Sequence, residues 1–551
     1  MGKPVLRRAS VIKTHVSAMF PAPTKGVDYI TPLERMDPAF CLKASNLLAR
    51  TYGLEFRAGT RRWNSNIPGE VRTLMPYNPP RGPSGPPLNG KLFAAASDGK
   101  IYDVTNQTDE ASIPPVAVDI PGQQEPGEFS WTNFATPATN YLCICSAGGG
   151  YWTYDQIGGW INRTVSISGA GSSFAINFDF VMSWKNRLWF IVNDTSDTFY
   201  LSPNSISGVA SNFDFGPLMI HGGDLKAMAS WTIDGGDGID DKLVLCGSQG
   251  DLLVYEGTDP SAAATFRIIG RWYIGAPPAG RRFLARYGGD IQMITQFGVF
   301  PLSRMLTGLD RLEATEDRSS YRINPFLADF IRGTLFNQYW EMRYLPQLEC
   351  IFVNAPDGAA DATGATINNR QFVMDLNTQG WTYFDGIPML TCEQFSGTLF
   401  YGTKDGKIGK AFDKTVNTDD VLSDGTTGPD IIIDFQGPFV PGENKTQLQR
   451  LIMFQLIFQG RYAPAIKAQL NSDWDPSGTA GAPAFVQNQG SAWDSALWDT
   501  ALWDNGATGT FKTWLGAAGV GNFASVRFTG VGAAGTLFTN YTLVGEPGGL
   551  M

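Results

Sequence analysis

Lys91-Leu-Phe-Ala-Ala-Ala96, turned at Ser97-Asp98-Gly99 and followed by Ile101-Tyr102-Asp103-Val104, decides the fold. A short apolar run, a tight turn and a second run with an aromatic residue describe a β-hairpin, and Asp-Gly supplies the positive φ such turns favour. Leu399-Phe400-Tyr401-Gly402, through Asp405-Gly406 to Ile408, nearly copies it. Between the two copies the same unit recurs. Tyr141-Leu-Cys-Ile-Cys145 turns at Gly148–Gly150 into Tyr151-Trp152-Thr153-Tyr154, and Gly158-Gly159-Trp160 closes it. Further units begin near Arg187, Lys242, Asp290 and Gln347, so successive starts lie 46 to 57 residues apart. A propeller blade of four antiparallel strands takes about 40–50 residues. Radial stacking of blades leaves only short, protected edges where a flat sheet of this size would leave long ones.

The fold class read from this repeat is all-β, a β-propeller of six or seven blades spanning residues 86–427. Residues 1–85 read as an N-terminal arm: Leu33–Trp63 mixes apolar and basic residues, and Pro76–Pro87 is a Pro/Gly linker. Residues 428–551 read as a C-terminal β-sandwich. Its expected strands are Ile431-Ile-Ile-Asp-Phe435, Leu451–Phe458, Ala465–Leu470, Ser525–Phe528 and Thr536–Thr539, separated by Gly/Ala-rich turns. One helix is expected over the blades, capped by Asn324, with Pro325 in its first turn and Leu327, Phe330 and Ile331 on one face.

Composition bounds the function. The 551 residues exceed what one core usually serves, and 43% are hydrophobic. Only 17% are charged, against roughly 25% in an ordinary soluble chain. Few charges and 12% aromatics fit large subunit interfaces. A net charge of −10 argues against a protein that grips duplex DNA, which needs a basic stripe, but suits a wall past which DNA slides. Cys41, Cys143, Cys145, Cys246, Cys350 and Cys392 form no CxxC pair and read as buried free thiols in a reducing compartment. Met1–Ser10 leads into no apolar signal segment, and Leu451–Phe458 is too short to span a bilayer. A soluble protein made in a cytoplasm is the expectation.

The chemical motifs are weak. His15 and His221 are the only histidines, and His221, in Ile220-His-Gly-Gly-Asp224, reads as a turn residue. Gly530-Val-Gly532-Ala-Ala-Gly535 has the letters of a dinucleotide fingerprint, but the strand-like Thr536-Leu-Phe-Thr follows it where a helix is required. Asp234-Gly-Gly-Asp237-Gly-Ile-Asp240-Asp241 is an acidic loop without EF-hand spacing, read as a solvated turn. Trp493-Asp, Trp498-Asp and Trp503-Asp form a period-five tandem, either an interface staple or a domain core. No catalytic, cofactor-binding or metal-ligating residue is assigned, and no cofactor.

Several passages together resemble the tail nozzle and tail-hub proteins (tubular tail protein B-like) of podoviruses, the short-tailed bacteriophages. They are Ala44-Ser-Asn-Leu47 with Tyr52–Gly59, Lys185-Asn-Arg-Leu-Trp-Phe190, Tyr200-Leu-Ser-Pro203, Asn212-Phe-Asp-Phe215, the Trp-Asp tandem, and Tyr541–Gly549. The similarity runs thinly over most of the chain, without long insertion domains. The resemblance implies a non-enzymatic virion protein, assembled in the bacterial host cytoplasm as a homo-hexameric ring. Such a ring sits below the portal and adaptor, carries fibres or other distal tail proteins, and lets phage DNA pass without sequence-specific binding. A propeller glycan hydrolase and a monomeric propeller interaction module are the rival readings.

Overall fold

The computed structural model describes residues 15–79, 89–108, 117–167, 177–232, 241–262, 264–306, 319–360, 366–442, 448–475 and 509–547. The chain divides into two units: Ala58–Asp430, and a second made of Met1–Arg57 with Ile431–Met551.

The first unit is a propeller. Its described residues form seven blades of antiparallel strands, numbered here by chain order, and one short extra pair, Ala359–Ala360 with Thr366–Ile367. Blade 1 is Val71–Tyr77, Lys91–Ala96, Lys100–Asp103 and Ala117–Asp119; blade 2 is Ser130–Ala135, Asn140–Ser146, Gly150–Asp155 and Gly159–Asn162. Blade 3 is Phe178–Trp184, Arg187–Val192, Asp197–Tyr200 and Gly208–Asp214, with Val165–Ile167 added in parallel at its edge. Blade 4 is Leu225–Trp231, Lys242–Gly247, Asp251–Glu256 and Arg267–Tyr273. Blade 5 has Leu284–Tyr287, Asp290–Thr295 and Gly298–Pro301. Blade 6 is Glu341–Leu345, Cys350–Asn354, Arg370–Asp375 and Trp381–Asp385. Blade 7 is Thr391–Phe395, Thr398–Gly402 and Ile408–Asp413, completed by Gly59–Asn64 from the start of the unit.

The second strand of every blade begins at or within three residues of a repeat start read from the sequence. These strands are near-continuous apolar runs because a blade is covered on both faces. Successive side chains of a strand point to opposite faces. Thus Leu92, Ala94 and Ala96 pack toward Phe395, Phe400 and Ile408 of blade 7. Phe93 and Ala95 pack toward Leu142, Ile144 and Tyr154 of blade 2. Cys143 and Cys145, on the other face of that blade, meet Phe178, Leu188 and Phe190 of blade 3. Trp189 and Ile191 then meet Leu243, Leu245 and Leu253 of blade 4.

Closure depends on the strand Gly59–Asn64, which pairs with Ile408–Asp413. Arg61 Nε donates to Asp413 at 3.2 Å, Arg62 Nε to Asp420 at 2.9 Å, and the Tyr401 hydroxyl to Thr60 at 3.0 Å. The reading of residues 1–85 as an arm therefore gives way. Val71–Tyr77 is a strand of blade 1, so Pro76 stands in a sheet, and Gly59–Asn64 closes the ring. The recognised runs are second and third strands, and each blade begins one strand earlier, in a segment of mixed composition.

The helix Asn324–Gly333 forms with Leu327, Phe330 and Ile331 buried. Phe330 lies 5.8 Å from both the Trp340 and the Phe372 rings. Asn324 is the first helical residue rather than the cap, and its amide oxygen accepts from the Ser320 hydroxyl at 3.2 Å.

The second unit is a β-sandwich. One sheet holds Val16–Pro21, Leu47–Arg50, Gly53–Phe56, Leu537–Pro547, Gln449–Gly460 and Gly509–Gly521; the other holds Lys43–Ser45, Ile432–Gln436, Phe523–Val531, Val440–Pro441 and Ala465–Ser472. Phe458 and Phe538 of the first sheet pack on Phe528 of the second, with ring centroids 5.5 and 5.1 Å apart, and Phe435 stacks on Phe528 at 4.8 Å. All five expected C-terminal strands form. Val16–Arg57 belongs to the same sandwich, so in chain order the propeller is inserted between two parts of one domain.

Candidate functional site

The first strands of blades 2, 3, 4, 5 and 6 border a cavity of about 920 Å³. Three of the arginines that line it, Arg281 and Arg282 of Gly280-Arg281-Arg282 and Arg343, reach across to other blades. Arg281 leads into blade 5. Its guanidinium pairs with Asp179 of blade 3 and donates to the Lys226 carbonyl of blade 4 at 2.5 Å. Arg282 donates to Thr73 Oγ1 of blade 1 at 2.6 Å, to the Arg72 carbonyl at 3.0 Å and to Thr391 Oγ1 of blade 7 at 3.1 Å. It also faces Glu128, on the approach to blade 2, at 3.4 Å. Arg343 of blade 6 bridges its neighbour Glu341 at 2.6 Å and Glu393 of blade 7 at 2.8 Å. The second Glu341 oxygen accepts from the Cys392 amide at 2.8 Å. Together the three side chains link blades 1, 3, 4, 6 and 7 with the segments that lead into blades 2 and 5.

Burial sets the electrostatics. It pushes Glu128 up to about 7, against the pull of Arg282 and Arg72, and lowers Arg281 to about 10. Burial also works against the Arg343 cation, but Glu393 and Glu341 outweigh it and hold its pKa above the usual value. Glu393 is raised, chiefly by burial. Asp179 offsets the charge of Arg281, and Glu341 and Glu393 that of Arg343, which is what a low-dielectric seam demands of buried charge. A carboxyl that keeps its proton near neutrality, such as Glu128, is the group with the tuning that a general acid would need.

His221 sits in a turn, as the sequence indicates. Its Nδ1 lies 2.8 Å from Asp251 Oδ1, its backbone amide donates to Asp251 Oδ2 at 2.7 Å, and its ring packs on Tyr273. His15 lies 3.6 Å from Glu546 in the sandwich. The glycines Gly530–Gly535 connect the strand Phe523–Val531 of one sandwich sheet to Leu537–Pro547 of the other, with no helix at the junction to meet a pyrophosphate. All six cysteines are buried thiols outside any disulfide, and burial raises the Cys143 and Cys246 thiols to about 12. Among the described residues no group of three or more His, Cys, Asp or Glu is placed to hold a metal ion. Asp234, Asp237 and Asp240 of the acidic loop, and the Trp493–Asp504 tandem, lie outside the described residues.

The cavity arginines are absent from the sequence reading. Their one local signal is the adjacent pair Arg281-Arg282 in a chain poor in charge. The partners Thr73, Glu128, Asp179 and Thr391 are scattered over the whole propeller, so no spacing rule gathers them.

No protein family matches the sequence, and no curated protein matches it. Among solved structures, the computationally designed Ika8 protein is 11% identical over 67% of this chain and 96% of its own, with a TM-score of 0.35. BBS1N, solved in complex with ARL6DN, is 11% identical over 66% and 99%, at 0.36. Sqt1 of Saccharomyces cerevisiae is 10% identical over 65% and 99%, at 0.37. The architecture rests on the strand pairings: a seven-bladed propeller inserted into a β-sandwich.

Proposed function

We propose that this chain is a structural, non-enzymatic subunit of a short-tailed phage tail, a nozzle or hub protein. About six copies form a ring below the portal and adaptor, hold fibres or other distal proteins, and let DNA through. The observation that carries the reading is the use of charge at the axial cavity. Arg281, Arg282 and Arg343 spend their hydrogen bonds on clamping blades together, as a load-carrying scaffold requires. The passages that resemble tail proteins also fall on scaffold. Lys185-Asn186 is a positive-φ turn of blade 3, and Trp189, Phe190 and Phe215 are core residues. Duplex DNA passes between copies, not through a propeller, whose cavity is too small for it. The net charge of −10 leaves the chain without the excess of cations that would bind DNA phosphate tightly.

Co-sedimentation with the portal–adaptor complex of a short-tailed phage tests this. One ring of the chain bound per complex is the expected result. A chain that binds no such complex, yet releases sugar from bacterial surface glycan, would replace the reading with the hydrolase. A propeller interaction module is the second reading, and Phe336, 93% exposed at the cavity rim, favours it. Selective retention of a protein partner, lost on Phe336→Ser, would identify that role.

A further inference from the structure

The sandwich sheet ends in an edge that is unusually open. Gly509–Gly521 is 13 residues long and pairs on one side with Gln449–Gly460, from Gln449 opposite Gly521 to Gly460 opposite Gly509. On its other side no described strand pairs with it. Such an edge presents a row of unpaired amides and carbonyls, and natural proteins usually blunt it with charge, proline, a bulge or brevity. Here the strand Gly-Thr-Phe-Lys-Thr-Trp-Leu-Gly-Ala-Ala-Gly-Val-Gly has one charge, Lys512, no proline, and a single register shift between Gly516 and Gly519, so Gly509–Gly516 is the regular stretch of the edge. Residues alternate half-buried and exposed along it, so even Phe511 and Leu515 are incompletely covered. Trp514 is 49% and Val520 59% exposed.

The same sheet has a second open edge. Among the described strands Val16–Pro21 pairs only with Asn540–Gly545, and most of its residues are exposed, Met19 to 66%. Between the two edges the order is Val16–Pro21, Leu537–Pro547, Gln449–Gly460, Gly509–Gly521, each strand antiparallel to the next. The edge strands therefore run in opposite directions. A rotation about an axis along the strands brings the Gly509–Gly521 edge of one copy against the Val16–Pro21 edge of another in antiparallel sense. A head-to-tail contact of that kind closes into a ring when the rotation divides the circle.

We propose that Gly509–Gly521 of one copy adds as a strand to Val16–Pro21 of the next, making the sandwich sheet continuous between subunits. The proposal deepens the ring reading and rests on it for closure into a ring. The occupant is a second copy because both complementary edges are on this chain and, Lys512 apart, neither carries the charge that would select a foreign partner.

Amide hydrogen exchange read by mass spectrometry, on the full chain across its association range, tests it. In the separated chain, alternate amides of 509–521 and of 16–21 exchange fast, and on association both sets become protected together. Trp514→Lys with Val520→Lys, at two exposed positions, leaves the separated chain folded and weakens association by roughly tenfold or more. Association that protects neither segment overturns the edge pairing and leaves a ring by other surfaces standing. Protection of 509–521 alone means two such edges pair with each other as a closed dimer, which overturns the head-to-tail contact. A chain that never associates, or whose 509–521 amides are already protected when separate, overturns it as well.

Discussion

Glu128→Gln isolates the electrostatics of the propeller axis. The Glu128 carboxyl, one-fifth exposed and 3.4 Å from Arg282, is lifted by burial from 4.5 to about 7. The unfolded chain ionises this group near the ordinary value. Below that pH both states keep the proton and the group has no effect on stability. Between roughly 4.5 and 7 the unfolded state releases its proton while the fold retains it, so stability falls as pH rises. Above 7 the loss is complete, about 3 kcal/mol at 1.36 kcal/mol per pKa unit. Glutamine keeps the shape and cannot ionise. The variant should therefore exceed the parent by up to about 3 kcal/mol at pH 8, and by under about 1 kcal/mol at pH 5. Denaturant unfolding of both proteins from pH 5 to 8 measures this. A difference that stays flat with pH would refute the reasoning. One that reverses would show a low Glu128 pKa, with Arg282 winning over burial.

Other substitutions probe the remaining supports. Arg282→Met strips Thr73, Thr391 and Glu128 of a shared donor and should lower propeller stability by about 3–5 kcal/mol, with much of the loss recovered in combination with Glu128→Gln, as a double-mutant cycle of unfolding energies would show. Gly406→Ala places a methyl against the Ile67 carbonyl at a residue with φ of +72°; unfolding curves should show a loss beyond about 1 kcal/mol. Tyr401→Phe removes the hydroxyl that reaches Thr60 on the closing strand, a loss of about 1 kcal/mol seen most clearly as faster proteolysis near Gly59. Phe528→Ala opens the sandwich core and should lower that unit's calorimetric transition by about 3–5 kcal/mol while leaving the propeller's in place.

The blade count was nearly legible in the sequence because a blade's second strand is buried on both faces. Leu92–Ala96 and Cys143–Cys145 have to be apolar at consecutive positions, and that pattern shows without an alignment. First strands such as Val71–Tyr77 and Leu284–Tyr287 have one side at the axis and mix in Arg72 and Arg286, so their signal is diluted. Closure by Gly59–Asn64 pairs residues about 350 positions apart with Ile408–Asp413, and only long-range pairing reveals it. For the same reason the sandwich was read as wholly C-terminal, although Leu47–Arg50 and Gly53–Phe56 supply two of its strands. The axial clamps were illegible. Arg281, Arg282 and Arg343 take their meaning from partners on other blades, and a lone arginine in a strand-rich chain reads as surface.

The mass of the purified full-length chain by light scattering, paired with negative-stain images, tests the central claim most directly. A ring of about six copies around a channel of duplex width is the predicted result. A chain that remains a single copy at high concentration and on a portal–adaptor template contradicts the structural-ring account and leaves a monomeric propeller module in its place.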